Sequence, residues 1–118
     1  MSVLEYPVPV YDSDGNLVET VDLWVDTGSS YTWLPARVRH FLRIQPSEER
    51  SFLLANGVVE RRPVAQVRIS LGGPPFATYC AFGEDGDALV LGAIALEEAG
   101  LAADPVHQRL IPADSFRF

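Results

Sequence analysis

Proline and glycine punctuate the chain from end to end, nine of each in 118 residues. Turn signals recur at short intervals, a spacing that suits many short strands. The apolar residues between them alternate. Val21, Leu23 and Val25 fall on one face of a strand expected over Leu17 to Val25. Ala65, Val67, Ile69 and Leu71 alternate with Gln66, Arg68 and Ser70 in the same half-buried pattern. An edge strand is expected over Val3 to Val10, because Pro7 and Pro9 cannot donate ladder bonds. Phe52 to Leu54, the Asn56-Gly57 turn and Val58 onward give the clearest hairpin signal. Phe76 to Phe82, Leu89 to Leu91 and Arg109 to Ile111 complete the expected strands.

Two short helices fit the remainder. Pro35 stands where a proline at the first helical position belongs, and Val38, Phe41 and Leu42 follow at helical spacing. Ala93 to Ala99 forms the second, with Gly100 just past its end. The expectation is therefore an all-β fold, mostly β with two short helices, as one domain over residues 1–118. Hydrophobic residues make up 47% of the chain, too many for a disordered one and enough for a core.

Composition removes several functions. A single cysteine excludes an internal disulfide framework and any multi-cysteine zinc site. The apolar stretch from Ala88 to Leu96 falls far short of the ~20 residues of a membrane helix. Met1 to Glu5 shows no signal peptide, so the cytoplasm is the default, and the start at Met1 fits a free-standing protein. The net charge is −7, which argues against nucleic acid as a partner. Seven of the nine arginines lie between residues 36 and 68, a basic middle read as a solvated face.

The informative segment is Leu23-Trp24-Val25-Asp26-Thr27-Gly28-Ser29-Ser30. An apolar strand ends in a carboxylate followed by small polar residues. Apolar flanks desolvate a carboxyl group and raise its pKa. Thr27 and Ser29 offer hydroxyls to hold it, and Gly28 lets a backbone or ligand come close. A carboxylate so placed is a candidate general acid or base. Peptide hydrolysis by water needs a second carboxylate to share the proton. No other Asp-Thr/Ser-Gly occurs in the chain, so the partner would come from a second copy across a two-fold axis near Asp26.

Here the sequence resembles the retropepsins, the single-domain aspartic proteases of retroviruses and their bacterial relatives. Three motifs carry the resemblance in family order. They are Asp-Thr-Gly-Ser at 26–29 after an apolar strand, a hairpin tipped by Asn56-Gly57 at the place of the family's flap, and Val90-Leu91-Gly92 leading into a helix. The resemblance implies a retropepsin-like closed β-barrel of the acid protease fold, one lobe per chain, paired as a homodimer by its terminal segments. It implies an aspartic endopeptidase with a polypeptide substrate and without cofactor or metal. Asp26 would be the catalytic carboxylate, Thr27 would bond across the dimer axis, and Gly28 would meet substrate through its backbone. Ser29 would hydrogen-bond Asp26. Ser30 and Tyr31 would line the substrate cleft, Val90 would line a specificity pocket, and Asn56, Gly57 and Val58 would form the flap tip. Two positions depart from the family pattern: bulky Val58 and Val59 follow Gly57, and Ala93 stands where retroviral chains carry an arginine. They motivate an alternative, an inactive scaffold that binds peptide or dimerises.

The remaining chemistry-bearing residues have plainer readings. Asp12-Ser13-Asp14-Gly15-Asn16 is a turn rather than a calcium loop, since Leu23 stands where the bidentate glutamate would be needed. Cys80 sits in an apolar strand as a buried thiol. His40 and His107 form neither a triad with Ser29 or Ser30 nor a metal pair. Trp24 and Trp33 bracket the Asp26 loop and are expected in the core beneath it.

Overall fold

The structure, a computed structural model, describes residues 4–45 and 48–113. Val3, the expected start of the first strand, lies outside them. The described chain is mostly β with two short helices. In order they are β1 (Glu5–Tyr11), β2 (Leu17–Val25), β3 (Thr32–Pro35), α1 (Ala36–Leu42), β4 (Glu48–Leu53) and β5 (Val59–Ile69). Then come β6 (Phe76–Gly83), β7 (Val90–Leu91), α2 (Ala93–Ala99), β8 (Leu101–Asp104) and β9 (Arg109–Pro112). The main sheet runs β3-β6-β5-β1-β2-β7, with β4 paired to β5, and β8-β9 is a separate hairpin. The ring closure of a barrel is not part of this ladder among the described residues.

Four strands are apolar on both faces, and period two explains how. Leu34, Phe82, Ala65 and Leu91 enter the main core with Leu23, Ile69, Val38 and Leu96. Their chain neighbours Trp33, Ala81, Val64 and Val90 turn the opposite way into a second cluster. Half-buried Tyr31, Phe52 and Leu54 pack against that second cluster. It is this smaller cluster that underlies the candidate site.

Three expectations change. β1 is not an edge strand, because it lies between β2 and β5. Its prolines are tolerated because β5 reaches only Val10 and Tyr11. The Pro9 carbonyl accepts from Ser70 N–H, so Pro9 turns its missing donor toward that open side and away from β2. Trp24 is 47% exposed, whereas Trp33 is buried as expected. The same alternation that sends Val21, Leu23 and Val25 inward turns Trp24 outward. Phe41 is exposed too, and only Val38 and Leu42 anchor α1.

β8 has no counterpart in the sequence reading. Its residues Leu-Ala-Ala-Asp are all half-buried and show no alternation. Asp12 caps its turn with a carboxylate that accepts from the amides of Asp14 and Asn16, as a hairpin turn requires. Gly100 ends α2 in the left-handed region at φ 69, as expected of a helix-ending glycine.

Candidate active site

β2 delivers Asp26 to the end of a strand, and its pairing with β7 fixes the height at which it emerges. Trp24 and Val25 lie parallel to Val90 and Leu91, and Asp26 N–H donates to the Leu91 carbonyl at 3.0 Å. The loop then folds back on itself. Gly28 N–H donates to Asp26 Oδ1 at 2.9 Å, and Ser29 N–H donates to the Asp26 carbonyl at 3.1 Å. One carboxylate oxygen is thus oriented by a backbone amide, and a Cβ on Gly28 would stand 3.2 Å from it.

The segment entering α2 clamps this loop from behind. Ala93 and Ile94 N–H donate to the carbonyls of Ser29 and Ser30 at 2.7 and 3.1 Å. Gly92 N–H donates to the buried Thr32 hydroxyl at 3.1 Å. Gly92 lies so close that a Cβ there would meet the Tyr31 carbonyl oxygen at 2.3 Å. The glycine of Val90-Leu91-Gly92 is therefore demanded by close approach, not by an unusual backbone angle, its φ being −90°.

Above the loop stands the β4–β5 hairpin. Gly57 N–H donates to the Leu54 carbonyl at 2.9 Å, and Leu54 N–H to the Val58 carbonyl at 3.0 Å. Gly57 has φ 83°, while Asn56 is not among the positive-φ residues. The tip is thus a tight turn closed by a left-handed glycine rather than the type I′ pair that Asn-Gly suggests. Asn56 Oδ1 accepts from Val58 N–H and stiffens it.

Loop and hairpin enclose a cavity of about 480 Å³. Asp26, Gly28 and Ser29 form its floor, and Leu53, Leu54, Ala55 and Asn56 its roof. Gly86, Asp87, Ala88, Val90 and Trp33 supply the walls. Of the residues singled out in the sequence, Asp26, Gly28, Ser29, Asn56 and Val90 come together here. Thr27 lines a second hollow on the other side of the loop, with Leu96 and Leu101. Ser30 is exposed beside the loop, and Gly57 and Val58 are exposed on the hairpin without lining the cavity. Tyr31 is half-buried, with its ring edge-on to Phe52 and stacked on Tyr79.

Two details differ from the sequence reading. The Ser29 hydroxyl donates to the Tyr31 carbonyl at 2.8 Å, and only the Ser29 backbone bonds to Asp26. Asp26 itself is exposed in the single chain, as is Trp24 two residues before it.

The sequence reading missed Arg62 and Asp87. Arg62 is 5% exposed, the most buried charged residue described. Its Nε donates to Asp87 Oδ2 at 2.8 Å and its Nη2 to Oδ1 at 3.3 Å. Asp87 Oδ2 also accepts from Glu84 N–H. The guanidinium beside it, assisted by that amide, holds the Asp87 carboxyl below the ordinary carboxylate range against the push of burial. One signal was present: Arg62 shares a strand face with Val64, two residues on, in the second cluster.

Residues 10–94 match the family model of an aspartyl protease. This chain belongs to the aspartyl protease family. Its fold is retropepsin-like. The retroviral protease-like domain of Ddi1 from Leishmania major aligns over 98% of this chain and 99% of that one, with a TM-score of 0.58 and 18% identity. A retropepsin-like aspartic protease from Rickettsia conorii aligns over 90% and 86%, with a TM-score of 0.55 and 22% identity. A comparison with curated protein sequences gives no match. No helix among the described residues of this aspartyl protease family member is long and apolar enough to cross a membrane.

Proposed function

We propose that the chain is an aspartic endopeptidase that works as a homodimer, with the two copies of Asp26 facing each other across the axis. The observation that carries this is the placement of Asp26: an exposed carboxylate, oriented by Gly28 N–H, on the floor of a cavity roofed by a hairpin. A single exposed carboxylate is a weak acid–base catalyst, whereas two that share a proton divide the roles. The ionised Asp26 takes a proton from the attacking water. The protonated one donates to the scissile carbonyl and polarises it.

The geometry supports a part for each neighbour. Thr27 lies on the opposite side of the loop from the cavity and is exposed, where its hydroxyl can reach the partner's loop. The apolar lining of Val90, Trp33, Leu53 and Leu54 suits an extended peptide with apolar side chains. Asn56 and the rest of the tip would close over that peptide and exclude water.

The test is cleavage of an unfolded protein mixture from mildly acid to neutral pH, with Asp26→Asn beside the wild type. Cleavage by the wild type alone, with specific activity falling on dilution, supports both the carboxylate and the dimer. Peptide that is bound equally by wild type and Asp26→Asn, with no cleavage by either folded protein, supports the inactive scaffold instead.

A further inference from the structure

The β4–β5 hairpin carries an unusual rung. Arg50 and Arg62 are direct cross-strand partners, so two guanidinium groups share one face. Like charges directly opposite destabilise a ladder unless each is held elsewhere. Here each is. Arg50 bonds Glu48 at 2.7 Å, and its guanidinium lies 5.5 and 5.3 Å from the ring centres of Tyr31 and Tyr79. Arg62 makes the bidentate contact with Asp87. Two rungs nearer the tip, Phe52 rests edge-on against Trp33 with ring centres 4.9 Å apart. Beyond that point half-buried Leu54 still packs against the second cluster, but its neighbours face solvent. Leu53, Val58 and Val59 are 74%, 47% and 62% exposed.

Asp87 belongs to the wall of the same cavity that this tip roofs. Its carboxylate also organises its own loop, accepting Glu84 N–H, while Asp87 N–H returns to the Glu84 carbonyl. Gly83 beneath leaves it room, since a Cβ there would stand 3.1 Å from Asp87 Cβ. Arg62 therefore spans two elements that must keep a fixed spacing for a peptide to fit between them and Asp26.

We infer that Arg62 and Asp87 are positioning residues: their ion pair is the fulcrum of the hairpin and holds its tip at the working distance from the cavity wall. This rests on the peptidase reading for its kinetic consequence, though not for its structural one. The pair touches no reacting atom. Its loss lets the tip ride away from the loop, which weakens peptide binding before it affects the chemical step. Surface ion pairs seldom fix geometry, but this one is bidentate and enclosed; among the described residues the other acids near Arg62 are Glu60 and Glu84, each at 3.8 Å, and its Nη1 donates to the Arg61 carbonyl at 2.9 Å.

The experiment compares wild type, Asp87→Asn, Arg62→Lys and Glu60→Gln, each shown to be folded by circular dichroism. Amide hydrogen exchange is followed by mass spectrometry, and peptide cleavage is measured at steady state. Asp87→Asn and Arg62→Lys are expected to raise exchange across 53–59 while β2 and β6 stay protected. They should raise KM about five- to tenfold with kcat within about twofold. Lysine keeps the charge but not the fork, so it should not rescue. Glu60→Gln should match wild type in both readouts. Wild-type protection at 53–59 in folded Asp87→Asn overturns the inference. So does exchange that rises equally in β2 and β6, which would mean a general loss of stability. If the wild type cleaves nothing, the peptidase reading falls, and the exchange comparison still decides the tether.

Discussion

Gly92→Ala places one methyl group where the fold has no room for it. The new Cβ would lie 2.3 Å from the Tyr31 carbonyl oxygen, 2.5 Å from its carbon and 2.9 Å from the Ser29 carbonyl oxygen. Ordinary contact requires roughly 1 Å more separation. Every clashing atom is backbone, so no side chain can rotate aside. The loop and α2 must part, which strains the bonds from Gly92, Ala93 and Ile94 to Thr32, Ser29 and Ser30. Overpacking costs about 1–3 kcal/mol, and the three bonds, weakened but not lost, together add about 2 kcal/mol. A loss of about 3–5 kcal/mol follows, a large part of a small domain's stability. The melting temperature should fall by about 10–20 °C.

Two other glycines give the scale. A Cβ at Gly100 meets open space, but its φ of +69° strains alanine, so the cost should be about 1 kcal/mol. Gly73 has neither a crowding atom nor a positive φ, and alanine there should be nearly neutral. Denaturant unfolding of the three variants should rank them Gly92, Gly100, Gly73. A Gly92→Ala protein as stable as Gly73→Ala would refute the close-approach argument and remove the physical reason for glycine in that motif.

Thr78 is buried in β6, and its hydroxyl has no hydrogen-bond partner among the described residues. Thr78→Val should therefore stabilise the protein by about 1 kcal/mol in denaturant unfolding, since it removes an unpaired polar group at nearly constant volume. Thr32→Val should do the reverse, because the Gly92 N–H loses its buried acceptor. A cost of about 1–3 kcal/mol is expected, and Thr32→Ser should recover most of it. Burial pushes the Cys80 thiol well above its ordinary value, so a thiol-modifying reagent at pH 8 should label it only after unfolding. The Asp87 carboxyl is lowered by Arg62, so its stabilisation is complete above the ordinary carboxylate value of about 4. That contribution is lost as pH falls through the folded value. Between about pH 5 and pH 2 the wild type should therefore lose more stability than Asp87→Asn, with the gap between them closing.

The fold was legible where one physical rule decides a segment alone. Alternation placed Val21, Leu23 and Val25 inward, and left-handed Gly100 ended α2 where expected. It failed where a second element intervenes. Pro7 and Pro9 signal an edge only if every flank of a strand must be paired. β5 covers just the last two residues of β1, leaving their side of the strand open. β4 begins at Glu48, in a run of charges that reads as loop. Its strand character comes from pairing with β5, not from its own hydropathy. β8 likewise owes its form to β9.

The site divides along the same line. Asp26, Gly28 and the Asn56-Gly57 tip lie within short motifs whose chemistry is local, so the sequence displays them. Arg62 and Asp87 stand 25 residues apart, and each alone reads as an ordinary surface charge. Only folding shows that β5 turns Arg62 inward beside Val64 while the loop after Gly83 turns Asp87 back to meet it. Composition even pointed away, since the arginines of residues 36–68 read together as a solvated face. Six of those seven side chains are indeed exposed or half-buried, and the seventh carries the contact that joins roof to wall. A net-charge argument averages over such a residue. Burying one cation demands a specific anion nearby, and this one sits on the cavity that also holds Asp26.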